Sequence, residues 1–339
     1  MTVVGLDIGS KTIKVVELTK DGGKYTLKSA GVVGYSGLDI EHIQDDKEFA
    51  QIADAVKKLF KDVKISSHDV GIALPESQVF TRAISFPLLT DQEIASAIKW
   101  EAEQYIPIPI NEAIVQHQVL ERRENATPPE VLVLLVASAR ALVEKYVKVV
   151  QMAGLNCVSV ETELMALSRS LSPANQTAII VDFGARSTDI AIVNNSMLSF
   201  SRSVSTGGEA LTRAVAQSLG VAPAQAEQYK KTYGLATNQL EGKVSQALDP
   251  VFRIITEEIK KAIHYYQTEE KGNAPASIVL SGGASGLPEA GNYLAKALGL
   301  EVIIGNPFSK VTVDANTGKS LVSFAPLYGI CVGLALRPE

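Results

Sequence analysis

The first 35 residues consist of short apolar runs separated by turns. Residues 3–9 read VVGLDIG, and a second apolar run at 12–18 follows after a few small or polar residues. Continuous apolar runs of this length are typical of buried strands. Apolar and polar residues alternate at 25–33, which predicts a third strand. The chain therefore begins with a predicted strand–turn–strand–strand unit.

The same pattern returns about half-way along the chain. Residues 179–184 read IIVDFG, and hydroxyl-bearing residues and an apolar run at 188–193 follow. Both copies keep an aspartate, a glycine two positions later, and then serine or threonine. Two unrelated hairpins with Asp-Gly-type turns would also produce such a pattern. A matched pair at half-length favours two related lobes.

A block of mixed helices and strands separates the two copies. Thr90 and Glu93 form a capping-box pattern, and the helix that it starts should end before Pro107. Strand and helix patterns before and after this helix indicate a small α+β domain, residues 87–152, inserted into the first lobe. The predicted strands are 69–74, 79–86, 114–120, 131–137 and 156–161, and the predicted helices are 47–60 and 139–153.

The second half combines further strands with a group of helices. A buried strand at 277–281 leads into a glycine-rich turn, and the apolar stretch 321–336 predicts a buried strand and helix. Helices are predicted at 208–219, 222–233, 250–269 and 288–298, and strands at 197–204 and 301–304. The predicted organisation is a lobe-one core (1–86), the insert (87–152), a return to lobe one (153–176), a lobe-two core (177–208), an outer helical subdomain (209–274), the rest of the lobe-two core (275–318) and a final return to lobe one (319–339).

The composition of the chain excludes several classes of protein. The chain is 46% hydrophobic and 20% charged, as globular proteins are. Its net charge of −5 gives no reason to expect nucleic-acid binding. Cys157 and Cys331 cannot form a disulfide framework, which fits a reducing compartment. We expect no direct membrane insertion, because no apolar run of about 18 residues and no signal peptide are present.

The paired turns have a physical use. Turns rich in glycine, serine and threonine expose backbone N–H groups that can hold phosphate oxygens. Ser10, Lys11 and Thr12 add donors to one turn, and Ser187 and Thr188 add them to the other. Asp7 and Asp182 suit a hydrated Mg²⁺, which prefers one or two carboxylates together with phosphate and water. Two such turns facing each other would hold the β- and γ-phosphates of a nucleotide.

Three further elements are weaker signals. The segment 281–290, SGGASGLPEA, brings backbone close to a flat or anionic group, although a simple helix-entry turn explains it as well. Gly207 and Gly208 open a predicted helix. Glu227 and Lys230 lie on one helix face, where a solvated ion pair is the ordinary explanation.

In this order, the segments resemble a known superfamily. GLDIGSKTIKVVEL and VDFGARSTDIAIV resemble the two phosphate loops of the actin-like ATPases, and VLSGGASGLPEA resembles their adenosine motif. The insert, with TDQEIASAIKWEAEQYIPIPINEAIVQHQVL, resembles the PilM family of type IV pilus assembly proteins, which is related to FtsA. The resemblance implies an α/β, actin-like two-lobed fold with a duplicated core and an inserted small α+β subdomain in lobe one. It also implies ATP and Mg²⁺ as cofactors.

The resemblance assigns roles to matching residues. Asp7 and Asp182 are implied to face the metal, and Glu161 is implied to orient the attacking water. Ala185 and Arg186 stand where fast ATPases of the superfamily have glycines, which implies at most slow ATPase activity. The residues implied to bind ATP are Gly9, Ser10, Lys11, Thr12, Gly184, Ser187, Thr188, Gly207, Gly208, Glu227, Lys230, Gly282, Gly283 and Ala284, with Glu227 and Lys230 at the ribose.

The resemblance also implies partners. It predicts a cytoplasmic protein held at the inner membrane by the N-terminal cytoplasmic tail of PilN, with other inner-membrane pilus assembly components as possible partners. We expect the insert to be the platform for this tail. Its predicted helix carries Ile94, Ala97, Ile98 and Tyr105 on one face and Trp100 on another.

Two alternatives stay open at this point. An FtsA-like cell-division scaffold typically ends in a membrane-binding amphipathic helix, whereas this chain ends in LRPE. A small-molecule kinase of the same superfamily would need a further Asp base near the γ-phosphate. No convincing candidate is visible, because Asp189 lies in a predicted strand, and Asp249 and Asp314 lie in predicted loops.

Overall fold

The computed structural model describes residues 2–35, 37 and 39–338. The chain end at Glu339, used above in the comparison with FtsA, lies outside them. The strands are β1 (Thr2–Ile8), β2 (Thr12–Asp21), β3 (Lys24–Gly34), β4 (Asp69–Leu74), β5 (Val79–Pro87), β6 (Ala113–Arg123), β7 (Glu130–Ala139), β8 (Asn156–Thr162), β9 (Thr177–Phe183), β10 (Thr188–Asn194), β11 (Met197–Val204), β12 (Ser277–Gly282) and β13 (Glu301–Ile304).

Helices cover and connect these strands. They are α1 (Asp46–Asp62), α2 (Asp91–Tyr105), α3 (Arg140–Met152), α4 (Glu163–Leu171), α5 (Gly208–Leu219), α6 (Pro223–Tyr233), α7 (Lys243–Thr268), α8 (Ala290–Leu298), α9 (Ala315–Leu321) and α10 (Gly329–Ala335).

Two five-stranded sheets repeat one topology. The first has the order β3-β2-β1-β4-β8, and the second has the order β11-β10-β9-β12-β13. In each, a central strand pairs antiparallel with the next strand and parallel with a later one. All residues of β9 are buried, which explains its continuous apolar sequence. The predicted duplicated core is confirmed, and we call the halves lobe one and lobe two.

A third sheet, with the order β5-β7-β6, forms the inserted unit. Helix α2 covers it through Ile94, Ile98 and Ala102, which are buried. The capping box of Thr90 and Glu93 is present, and the helix ends before Pro107 as predicted. The sheet also takes in β5, which begins at Val79 and ends at Pro87, whereas α3 packs into the core of lobe one. We therefore propose bounds of 79–139 for the insert in place of 87–152.

Helix α7 differs from its predicted bounds. Proline is common in the first turn of a helix, so the sequence predicts a start at Pro250. The helix instead begins at Lys243 and contains Pro250 in its interior. Val244, Ala247 and Leu248 precede the proline and are buried in the core of lobe two. Their burial outweighs the hydrogen bond that proline cannot donate.

The C-terminal segment returns to lobe one. Val322–Tyr328 form 3-10 turns rather than the predicted strand, and α10 is buried throughout as predicted. Cys331 and Val332 pack with Val16 and Leu18 of β2. Residues 315–335 are long and apolar enough to cross a membrane by composition alone, but 56% of their most apolar window is buried within the fold. This stretch therefore has the burial of a core element.

Candidate functional site

A cavity of about 1200 Å³ lies between the two lobes. Both hairpin turns, the glycine-rich turn after β12 and the first turns of α5 and α6 line it. Most of the predicted site residues lie in its wall: Asp7, Gly9, Ser10, Lys11, Thr12, Asp182, Gly184, Ser187, Gly208, Glu227, Lys230, Gly282, Gly283 and Ala284. The fold therefore brings together residues that are far apart in the sequence.

Glu161, Thr188 and Gly207 do not belong to this wall. Thr188 is fully buried, and its hydroxyl donates to the carbonyl of Thr206 at 2.6 Å. Both carboxylate oxygens of Glu161 accept from Arg169, at 2.8 and 2.7 Å. The carboxylate of Glu161 is thus paired outside the cavity wall, and its role in orienting a water stays a prediction. Thr188 likewise serves the fold through its side chain.

The first hairpin contains an internal ion pair. Asp7 of β1 stands opposite Lys14 of β2 in the strand register. The Nζ of Lys14 donates to Oδ2 of Asp7 at 2.7 Å, and both side chains are buried. Burial alone would lower the pKa of Lys14, but Asp7 raises it well above its usual range. Lys14 also lines the cavity, although the sequence analysis did not select it.

The second hairpin has no such cation. Asp182 of β9 stands opposite Asp189 of β10. Burial, and then the charge of Asp189, raise the pKa of Asp182 to about 7. Burial raises the pKa of Asp189 to about 6, although the hydroxyl of Ser187 donates a hydrogen bond to its Oδ2 at 2.8 Å. Asp189 lies in the predicted strand, and its side chain also lines the cavity.

A further carboxylate reaches this region from α4. Glu163 lines the cavity, two positions after the residue chosen from the sequence. Burial raises the pKa of Glu163, and the negative charges of Asp7 and Asp189 raise it further. One of its oxygens accepts from the backbone N–H of Glu76 at 3.3 Å. Glu163 thus faces both hairpins.

Helix α5 supports the second turn. The N–H groups of Gly208 and Glu209 donate to the carbonyls of Gly184 and Ala185 at 2.9 and 2.8 Å. A Cβ atom on Gly207 would lie 2.8 Å from backbone atoms of this turn. Gly207 is therefore required for the close contact between helix and turn, and the helix N–H groups are already occupied.

Glu227 and Lys230 form a network in which Lys230 is buried and Glu227 is partly exposed. Lys230 is 4% exposed, and its Nζ contacts Oε2 of Glu227 at 2.6 Å. The same ammonium donates to Thr212 and to the carbonyl of Gly208. Burial opposes the charged form, but hydrogen bonds from Lys230 and Thr212 lower the pKa of Glu227 to about 2. Such a fixed charge can orient a hydroxyl-rich ligand.

The glycine-rich turn borders an apolar wall. Gly282 has φ of +82°, and a Cβ there would lie 2.5 Å from the carbonyl oxygen of Phe183. Glycine is therefore needed at this position. Val322 and Phe324 are 71% and 54% exposed and also line the cavity. Their apolar surface can accept a flat ring, and no sequence motif indicated it.

Two ion pairs bridge the lobes at the cavity. Lys11 of the first turn contacts Glu209 of α5 at 2.8 Å. Arg186 of the second turn contacts Asp39, which follows β3 in lobe one. Each turn therefore pairs its basic residue with a carboxylate of the opposite lobe.

The buried charges fit a divalent cation. Asp7, Glu163, Asp182 and Asp189 all line the cavity, and among the described residues Lys14 forms an ion pair with one of them, Asp7. Buried carboxylates that lack a positive partner are costly. Mg²⁺ with its oxygen ligands matches this donor set.

The duplicated sheets and the cleft between them define an actin-like protein. The chain matches the family described as Type IV pilus assembly protein PilM over residues 5–339. It belongs to this family.

Known proteins agree with this placement. A solved PilM-PilN type IV pilus biogenesis complex is similar with a TM-score of 0.84 and 26% identity, covering 99% of each chain. The cell division protein FtsA of Bacillus subtilis (strain 168) is 23% identical over 372 residues, which cover 95% of this chain and 83% of the relative. MreB5 of Spiroplasma citri, solved with AMPPNP, shares the fold with a TM-score of 0.55 and 14% identity, covering 98% of this chain and 94% of its own.

Proposed function

We propose that this protein is an ATP-binding, actin-like assembly protein of the type IV pilus machinery that docks the cytoplasmic tail of PilN. The observation that carries ATP binding is the cavity of about 1200 Å³, whose wall joins both hairpin turns to the glycine-rich turn. The adenine ring would lie between Gly283 and the apolar wall of Val322 and Phe324. The ribose would meet Glu227 and Lys230.

The metal would sit on the lobe-two side of the cavity. Within the described part of the chain, Asp182 and Asp189 lack a contacting cation, whereas Asp7 is paired with Lys14. Mg²⁺ bound through waters or directly to Asp182 would neutralise this region and meet the phosphates. Lys14 and the hydroxyl groups of Ser10 and Thr12 would hold phosphate oxygens from lobe one.

Hydrolysis would be slow and would depend on Glu163. This carboxylate faces both hairpins from α4, so it replaces Glu161 as the group that orients a water. Arg186 occupies the second turn and pairs with Asp39, which crowds the phosphate position. We expect a turnover far below the usual range of about 1 to 1000 per second.

Ligand-dependent stability tests ATP binding. Thermal unfolding is followed with ATP, ADP or GTP at millimolar concentration, with Mg²⁺ or with EDTA. A ligand at about 100 times its Kd adds about 2.7 kcal/mol to the free energy of unfolding. ATP with Mg²⁺ should raise the melting temperature more than GTP does, and EDTA should remove part of the rise. A melting temperature unchanged by ATP would contradict the proposal.

Docking of PilN rests on the family and on the inserted unit. The α2 face with Ile94 and Ile98 is filled by its own sheet, with Ala97 and Tyr105 packed at its margin. The tail must therefore use another surface of the insert. Trp100 is 74% exposed on the opposite side of α2. Exposed tryptophans are frequent anchors in interfaces, and the docked tail would hold this protein, in the cytoplasm, at the inner membrane.

A tail peptide tests docking. A synthetic PilN N-terminal peptide is titrated calorimetrically against the full chain, against Trp100→Ala and against Lys99→Ala as a matched exposed control. We expect micromolar binding, a loss of at least tenfold in Trp100→Ala and no change in the control. Absence of binding to the full chain would refute docking, whereas equal binding to all three would move the anchor elsewhere.

A further inference from the structure

A second, smaller cavity lies where the inserted sheet meets lobe two. Its volume is about 170 Å³, which is room for about five waters at roughly 30 Å³ each. We call this cavity the edge slot. Its wall consists of residues 80–83 of β5, residues 199–201 of β11, and Leu134, Tyr265 and Glu270.

The edge slot separates two sheet edges. β5 is the outer strand of the inserted sheet, and β11 is the outer strand of the second sheet. Among the described residues, no backbone hydrogen bond joins these two strands. Facing strand edges present rows of backbone donors and acceptors that an extended peptide can use.

Glu270 places a carboxylate in this slot. It follows α7, is 9% exposed, and its buried Oε2 has no hydrogen-bond partner among the described residues. Burial raises the pKa of Glu270 to about 7, and the charge of Arg123 opposes this only in part. A buried carboxylate without a partner is costly for the fold. A positively charged ligand that pairs with this carboxylate would explain why it is buried here.

The cations near the slot have other partners. The guanidinium of Arg82 lies 4.1 Å from the ring centroid of Tyr105, on the side of α2. Arg123 contacts Glu121 at 2.7 Å and Glu130 at 2.9 Å. Neither forms an ion pair with Glu270, so this carboxylate has no paired cation in the described part of the chain.

Aromatic rings complete the wall. Phe80, Phe200 and Tyr265 line the slot, and the rings of Phe200 and Tyr265 are 5.5 Å apart. Aromatic faces together with a carboxylate favour a cation. We propose that the edge slot binds a lysine or arginine side chain of an extended partner segment, with the charged group at Glu270 and the backbone along β5 and β11. This site is separate from the nucleotide cavity and does not depend on the proposed function.

Small probes test the charged part of the slot. Ethylguanidinium and its neutral counterpart ethylurea are titrated by ligand-observed NMR at pH 8, where Glu270 is ionised. The proteins are wild type, Glu270→Gln, and Glu269→Gln, which makes the same charge change at an exposed neighbour. We expect millimolar binding of ethylguanidinium, at least tenfold weaker binding of ethylurea, and loss of the difference in Glu270→Gln only. Equal binding of both probes, binding of neither, or the same loss in Glu269→Gln would overturn the proposal.

A peptide distinguishes a partner segment from a free cation. Acetyl-Val-Arg-Val-amide and its citrulline counterpart are titrated against the same proteins. The arginine peptide should bind at least fivefold more tightly than ethylguanidinium, because the strand edges add backbone hydrogen bonds, and the citrulline peptide should bind more weakly. An arginine peptide that binds no more tightly than ethylguanidinium would overturn the assignment to a peptide.

Discussion

The two hairpins that face each other across the cleft share geometry but differ in charge. DIGSKTIK and DFGARSTD occupy equivalent positions at the ends of β1–β2 and β9–β10. The residue opposite the aspartate is Lys14 in the first hairpin and Asp189 in the second. One cross-strand pair is therefore attractive and the other repulsive.

Because of this difference, the two lobes contribute different charges to the cleft. Like charges directly opposite each other destabilise a sheet. Burial raises the pKa of Asp182 to about 7 and that of Asp189 to about 6, and the charge of Asp189 adds to the rise at Asp182. Lobe one carries its own cation, so its aspartate is already neutralised. Under the proposed function, lobe two takes its cation from outside as Mg²⁺. A duplicated fold thus keeps the position of the carboxylate while changing what it must bind.

The largest expected effect comes from breaking the attractive pair. Asp7→Asn leaves Lys14 buried without its partner, which costs about 3–5 kcal/mol in comparable cases. Asp189→Asn in the second hairpin removes repulsion and should stabilise the protein by about 1 kcal/mol. Urea unfolding without nucleotide measures both. The double variant Asp7→Asn, Lys14→Met should recover part of the lost stability, because it also removes the unpaired cation. Equal losses of stability in Asp7→Asn and Asp189→Asn would contradict the proposed difference between the hairpins.

Variants of Glu163 test whether this carboxylate, which faces both hairpins, is needed for hydrolysis. Glu163→Gln should lower phosphate release about a hundredfold while ATP still binds, since positioned acid–base groups contribute about 10²–10⁴ in rate. Glu161→Gln should weaken the contact with Arg169 and lower stability without this loss of rate. Steady-state phosphate release at saturating ATP, beside the melting temperature, separates these results. A rate that depends on Glu161 would restore the earlier assignment.

Sequence patterns identified the hairpins because their signal is local. An apolar run, a glycine turn and a second run define each strand pair without knowledge of the rest of the chain. The duplicated topology and the glycine-rich turn after β12 were predicted from the same kind of local sequence pattern.

Residues whose role depends on distant packing were missed. Lys14 and Asp189 read as ordinary strand positions, because only the register reveals what stands opposite them. Glu161 and Glu163 are two positions apart, yet the junction of β8 and α4 directs one to Arg169 and the other to the cavity. Pro250 likewise looked like a helix start until the burial of Val244 and Leu248 was known.

The pH dependence of stability should differ between the hairpins. The pKa of Asp182 and that of Asp189 in the folded state lie above the unfolded value near 3.9. Between about pH 4 and 7 the folded protein therefore binds more protons than the unfolded one, and stability falls as pH rises. We expect a loss of several kcal/mol across this window, since each unit of pKa shift corresponds to about 1.36 kcal/mol.

Urea unfolding at pH 5, 6, 7 and 8 measures this loss. Asp189→Asn should flatten the dependence, because it removes one carboxyl of the coupled pair and lowers the pKa of the other. ATP with Mg²⁺ should restore stability most at pH 8, since metal binding requires ionised ligands. If the free energy of unfolding depends on pH in the same way in wild type and in Asp189→Asn, the hypothesis is wrong.

The smallest expected effect concerns the two ion pairs that cross the cleft. Lys11 and Arg186 stand at equivalent positions of the two turns and contact Glu209 and Asp39 of the opposite lobe. Partly exposed pairs contribute about 0.2–1 kcal/mol, so Glu209→Gln should change stability by at most about 1 kcal/mol. Phosphates must compete with Glu209 for Lys11, so this variant should bind ATP about two- to fivefold more tightly, within the same energy range. Calorimetric titration with ATP measures this, with the exposed Glu301→Gln as the control. Weaker binding in Glu209→Gln would mean that the bridge holds the cleft in its binding geometry instead of competing with the ligand.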